Sequence, residues 1–459
     1  MSNTKQKADA VICGAGISGI SAAYHLAVKQ GMGNVVLVDP REPMTLTSDK
    51  STECYRNWWP GPGDAMVRLM NHSIDLLEEL ANESNNYFGL NRRGYVFLTS
   101  REERVEEYRQ SAELISGLGA GDLRIHEDVA TSQYLPPLAE AYQGQPTGAD
   151  LVVDPAIIQQ TFPFITDKAI AMLHTRRCGW LSAQQLGTYL LDRAREAGVT
   201  LVRAQVADIN VEVGRVAGVS LDNGGEITTS NFINCAGPYL NQVSQMLGVD
   251  LPVYNELHAK IALKDYLGVV PGGVPLMLWD DPVHLLWSEE ERQELAADPE
   301  MRWLLDEFPS GVHFKPEGAG DSPMLLALWT YDVHEQEPVW PPSFDPMYPE
   351  IVLRGLVHLV PGLEAYIGRM RKPNLDGGYY CKTRENRPLI GPTSVEGAYV
   401  FGAVSGFGIM SAMAGGELLA QHVVGAELPE YADAFRLSRY EDPEYLALLA
   451  KIDATSGQL

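Results

Sequence analysis

Residues 9–26 read DAVICGAGISGISAAYHL, and the opening half of this stretch decides what the rest of the chain is built around. Ala10, Val11, Ile12 and Cys13 form a short apolar run with the composition of a buried strand. It leads into Gly14-Ala15-Gly16-Ile17-Ser18-Gly19, a glycine turn that opens a helix over 17–30. In such a unit Gly14 lets the chain turn, Gly16 lets backbone approach a pyrophosphate, and Gly19 lets the helix pack close to the strand. The exposed N–H groups of the first helical turn then face the phosphates. A second buried strand, 34–38, ends at Asp39, about 20 residues beyond the last glycine. A carboxylate there accepts a ribose 2′-hydroxyl and repels a 2′-phosphate, so FAD or NAD is favoured over NADP.

The next segment separates those two. A simple NAD domain would continue with further strand and helix units, whereas here 43–63 is a loop holding Ser48, Lys50, Ser51, Thr52, Arg56, Trp58 and Trp59. Hydroxyls, a lysine and aromatics beside a pyrophosphate suit the longer, buried FAD. Pro40 and Arg41, just past Asp39, join the candidate cofactor contacts.

The remaining nucleotide-fold pieces are spread along the chain. A helix is expected over 183–197 with Gly198 as its stop, then strands over 200–204 and 208–213 with Val206 between them as another candidate contact. After an Asn223-Gly224 turn, an apolar strand ends in Cys235-Ala236-Gly237, small residues against which a cofactor can lie, and a helix follows over 239–247. Near the C-terminus a strand over 398–403 meets Ser405-Gly406-Phe407-Gly408 and a small-residue helix that begins with Ile409 and Met410 and runs to 422. Its positive N-terminus would stabilise the anionic edge of a reduced flavin.

A chain of 459 residues exceeds what one core usually serves, so two units sharing a cleft are expected. The fold class is α/β, α+β overall: a Rossmann-type FAD-binding domain from 1–87, 181–250 and 373–430, and a mostly antiparallel substrate domain from 88–180 and 251–372, with 431–459 as a C-terminal helical tail. Within the second domain, 280–308 is acidic, reads as helical, and is a candidate lid over the cleft. A net charge of −25 opposes binding to nucleic acid and anionic membrane surfaces. Five scattered cysteines show no metal-binding spacing, so no metal is expected and a reduced, cytoplasmic setting fits. The first residues lack the apolar core of a signal peptide, and no apolar run approaches the length of a membrane span.

In order, the segments DAVICGAGISGISAAYHL, SDKSTECYRNWW, NCAGPYLNQVSQMLG, GGYYCKTRENRPLIGP and SGFGIMSAMAGGELLA resemble the D-amino-acid oxidase superfamily, nearest its sarcosine oxidase and dye-linked L-proline dehydrogenase branch. The resemblance implies a roof of sheet over the flavin, with Arg56 gripping a substrate carboxylate, Tyr380 lining an amino-acid pocket and His258 near the active site. Relatives that attach FAD covalently use a histidine in the loop 51–55, absent here, or a cysteine near Cys381, which stands about three residues out of place; noncovalent FAD is expected. A second carboxylate-holding cation of the sarcosine oxidases is replaced by Met410, and their oxygen-assisting lysine falls near Ala327.

The implied reaction is hydride transfer from a carbon beside a neutral nitrogen to flavin N5, giving an imine, with a secondary amine or N-substituted amino acid as the small-molecule substrate. Two other functions stay open: a 2-hydroxy-acid dehydrogenase with His258 as base, and a noncatalytic flavin-binding assembly factor or subunit. The oligomeric state and the electron-acceptor partner are left open.

Overall fold

The computed structural model describes residues 5–139, 142–318, 320 and 322–450. The ends of the chain assigned to the first segment and to the tail, 1–4 and 451–459, lie outside the described residues.

Strand Ala10–Cys13 sits in the middle of a six-stranded sheet. On one side it pairs in parallel with Val35–Asp39, which pairs with Thr200–Arg203; on the other it pairs with Phe232–Asn234, which pairs with Ala398–Gly402. Leu389–Pro392 closes the edge antiparallel. Side chains alternate between two cores, as a two-residue period requires. Ala10, Ile12, Val35 and Leu37 pack with the helices Ile17–Tyr24, Ala65–Glu83, Ala183–Glu196 and Gly408–Val424. Val11, Cys13, Val36 and Val38 pack with a four-stranded sheet through Val206, Ile209, Val219 and Ile227.

A nine-stranded mixed sheet forms the second layer, and the same alternation decides what it offers the first. Its far face, with Val96, Leu98, Ile261, Leu263, Phe314 and Ala327, packs under helix Tyr348–Leu359. Tyr95 and Leu278 on its near face join the core beneath the six-stranded sheet. Because residues two apart share a face, Glu256, His258 and Lys260 of strand Tyr254–Lys264 and His313 and Lys315 of strand Val312–Glu317 belong to that near face.

Three expectations shift. The first helix is α-helical only over Ile17–Tyr24 and widens to a π turn over His25–Lys29. Strand Asn374–Lys382, assigned by sequence to the cofactor-binding segments, pairs with Tyr254–Lys264 and so belongs to the second sheet. Of 280–308, only the nine residues Glu289–Ala297 are α-helical. That helix is tied to the far-side helix by Arg354, which reaches Glu291 at 2.7 Å and Glu350 at 2.7 Å and stacks on Trp287 at 3.8 Å. The tail holds a short helix, Pro443–Leu449, and is anchored by buried Arg439 on Glu385 at 2.7 Å.

Candidate functional site

Two helices from the distant ends of the sequence, Ile17–Tyr24 and Gly408–Val424, begin at one cavity of about 70 Å³ at the C-terminal edge of the parallel strands. Ligands in open α/β sheets bind at this edge, where strand carbonyl ends leave room and helix N-termini supply N–H groups. Gly16, Ile17, Ser18, Ser48, Ser51, Cys235, Gly237, Gly406, Gly408 and Ile409 line it, ten of the sequence-predicted contacts. Tyr380, expected in the amino-acid pocket, lines it too. Thr47, Pro238, Tyr379, Ala403 and Ser405 line it as well and were not among the candidates, and Cys381, weighed from the sequence only as an attachment point, lines it too.

The turn geometry explains the glycines. Gly14 has φ +106°, and a Cβ there would stand 2.3 Å from the Cys235 carbonyl oxygen; one at Gly19 would stand 1.9 Å from the Gly14 oxygen. Gly14, Ala15 and Gly19 therefore shape the cavity from behind. Asp39 does not line it either: its carboxylate accepts the Ala15 N–H at 2.8 Å and the Arg41 N–H at 2.7 Å, which ties the end of the second strand to the glycine turn. Ser48 accepts the Ile17 N–H at 3.0 Å. At the closing turn Ala403 (φ 51°) and Ser405 (φ 44°) hold left-handed conformations, a strain that side-chain-bearing residues adopt only where the surroundings impose it.

Pro40, Arg41, Lys50, Val206 and Ala236 do not line this cavity. Lys50 turns to Asp376 at 2.8 Å, and Val206 is buried in the core behind the sheet. The loop itself is pinned by a residue the sequence did not single out, Lys260, whose ammonium donates to the carbonyls of Ser51 at 2.8 Å and Asp49 at 3.2 Å. Two converging helix N-termini lined with hydroxyls and glycine backbone are the donor set that the phosphates of an adenine dinucleotide require.

A second cavity of about 60 Å³ adjoins the first and shares Tyr380, Ser405 and Gly406 with it. Glycine is needed at 406 because a Cβ would stand 2.6 Å from the Tyr380 ring. Arg56, Thr52, His258, Phe407 and Met410 line this second cavity, so the structure brings the three predicted catalytic residues Arg56, His258 and Tyr380 together. Arg56 is buried and stacks on Trp59 at 4.7 Å, and Trp59 in turn meets Phe407 edge to face at 4.9 Å. Burial pulls the Arg56 pKa down, yet a guanidinium remains charged in a protein, so the cavity holds a cation whose planar fork is fixed by an aromatic wall.

His258 stacks on Tyr380, ring centroids 4.1 Å apart, and its Nε2 lies 3.1 Å from Glu256, which also receives Lys382 at 2.9 Å. Burial lowers the His258 pKa despite the raising effect of Glu256, which favours the neutral ring. Burial opposes ionisation of Glu256 too, but hydrogen bonds from His258 and Lys382 outweigh it and hold the carboxyl below its usual range. Cys54, Tyr95, His313, Leu328, Thr330 and Asn386 complete the wall, none of them singled out from sequence. Among the described residues no group of three or more His, Cys, Asp or Glu side chains could hold a metal, and no helix is long and apolar enough to cross a membrane.

Comparison with known proteins places this arrangement. Dimethylglycine dehydrogenase of Rattus norvegicus is 25% identical over 430 residues, 93% of this chain but 44% of the relative, so the chain spans less than half the length of that protein. Sarcosine oxidase subunit beta of Rhodobacter capsulatus is 21% identical over 96% of this chain and 91% of its own. The crystal structure of L-proline dehydrogenase from P. horikoshii has the same fold, with TM-score 0.72 over 95% of this chain and 99% of that one at 18% identity. The family model described as DAO, FAD dependent oxidoreductase, matches residues 9–422, and the chain is a member of that family of FAD-dependent enzymes.

Proposed function

We propose that this chain oxidises the C–N bond of a small amine or amino acid, preferably a secondary amine or N-substituted amino acid, to an imine that water hydrolyses. The observation that carries the reading is a buried, stacked Arg56 in a small chamber that opens onto the cofactor cleft at Tyr380. Relatives named for sarcosine, a secondary amine, support the same class, and dimethylglycine, for which another is named, is an N-substituted amino acid but a tertiary amine.

Bound FAD supplies the hydride acceptor. The chain's own residues hold the substrate carboxylate at Arg56, fix the reacting carbon beneath the closing turn, exclude water with Trp59, Phe407 and Tyr380, and favour the uncharged amine by desolvation. Anaerobic mixing with secondary amines, amino acids and 2-hydroxy acids is expected to bleach the flavin band with the first group. Bleaching only with hydroxy acids would transfer the reaction to C–O bonds, and none with any compound would favour a noncatalytic flavin-binding role.

FAD is held noncovalently in this reading. Cys381 is the cysteine lining the cleft nearest the expected attachment point, but burial pushes its thiol up to about 12, which leaves little thiolate. Acid precipitation is expected to give a colourless pellet with all flavin in solution; a yellow pellet that turns white in Cys381→Ser would reverse this assignment. The five cysteines are unpaired and buried, which supports a reducing, cytoplasmic setting.

A further inference from the structure

His313 lies on the near face of the nine-stranded sheet, 3% exposed, in the same chamber wall as Arg56. Its Nδ1 is 2.8 Å from the Gly311 carbonyl, and only an N–H can sit against a carbonyl oxygen, so Nδ1 carries the proton and Nε2 is a lone-pair acceptor. Burial, partly opposed by that hydrogen bond and reinforced by the charge of Arg56, pushes the ring's pKa down to about 4, which keeps it neutral near pH 7. His313 and Thr330 line the same cavity, and among the described residues the Thr330 Oγ1 is buried there without a hydrogen-bond partner. Buried polar groups are seldom left without partners, so this part of the wall is shaped for a polar ligand, and the lone pair that the Gly311 hydrogen bond leaves on Nε2 suits one that brings a hydrogen-bond donor.

Resting on the amine-oxidation reading, we propose that His313 accepts the N–H of the neutral substrate amine, and that it selects secondary amines over tertiary ones. A carboxylate seated on Arg56 directs the amine end of a small amino acid elsewhere in the same chamber, where His313 is an acceptor. A secondary amine that has lost its extra proton keeps a lone pair and one N–H. Donating that N–H to Nε2 fixes the direction of the lone pair, which must align with the breaking C–H bond. A neutral tertiary amine has no N–H to give, so an alkyl group meets Nε2 and the acceptor stays dry. The discrimination expected from one unsatisfied buried acceptor is on the order of tenfold or more.

The test is anaerobic flavin reduction by two matched pairs, N-methylglycine against N,N-dimethylglycine and proline against N-methylproline. The wild-type chain is expected to prefer the secondary member by about tenfold or more in reduction rate over Kd. His313→Leu is expected to slow only the secondary amines and bring the ratio near one, while His313→Gln, which retains an acceptor, keeps most of the preference. Equal or reversed preference in the wild-type chain overturns the proposal without any variant, as does an unchanged ratio in His313→Leu. Bleaching with unchanged preference removes only the role of His313; no bleaching with any amine overturns the reaction and this role together.

Discussion

Replacing Arg56 with alanine is expected to weaken binding of the substrate carboxylate by about 2 to 4 kcal/mol, on the order of 30- to 700-fold in Kd. Three features set the size of that effect. The guanidinium is buried, so water does not screen it; it stacks on Trp59 at 4.7 Å, so little rotamer entropy is lost on binding; and among the described residues no second Lys or Arg lines the chamber to share the load. Arg56→Lys is expected to recover only part of the loss, since an ammonium neither stacks nor forks. The measurement is a titration of the oxidised flavin spectrum with a carboxylate-bearing ligand and with the same amine lacking its carboxylate. Arg56→Ala should abolish the difference between the two while leaving the flavin band in place. An unchanged difference would take Arg56 out of the site.

How much of this was legible in the sequence follows from where each residue's signal lives. The cofactor cleft is encoded locally: strand, glycines and helix are contiguous, and Asp39 follows at a spacing fixed by one βαβ unit. Arg56 and Tyr380 came from the family resemblance, and the structure brings both to one chamber with His258. The rest of the chamber wall was unreadable for a physical reason. Strand Val312–Glu317 is buried at its first five residues, VHFKP, and Met324–Leu328 is nearly as buried, so neither alternates polar with apolar and nothing tells His313 from a core histidine. Lys260 and Lys315 are hidden likewise, since a lysine on a strand ordinarily signals a solvated face. The segment 280–308 failed in the opposite sense. Its charge run looked like one long helix, but the Ser288 capping box starts a helix that stops after nine residues, at Asp298.

Gly14→Ala is expected to cost more than any change in the chamber, because it strikes what the chamber is built on. Two penalties combine: a left-handed φ of +106° for a residue with a side chain, and a Cβ placed 2.3 Å from the Cys235 oxygen, 2.8 Å from its carbonyl carbon and 3.2 Å from the Ala236 Cα. All three neighbours are backbone of the adjacent strand end, so none can swing aside, and relief requires parting the strands that carry the cleft. Together these amount to roughly 3 to 5 kcal/mol, enough to empty the site at micromolar flavin. The purified variant is expected to be colourless or to hold well under a tenth of the wild-type flavin, and to melt several degrees lower. Gly33→Ala is the matched control: it lies near the same turn-helix unit, and a Cβ there meets nothing within 4 Å, so full flavin content is expected. If Gly14→Ala bound flavin as tightly as Gly33→Ala, the pyrophosphate could not lie against this turn, and the chamber beside it would lose its hydride acceptor.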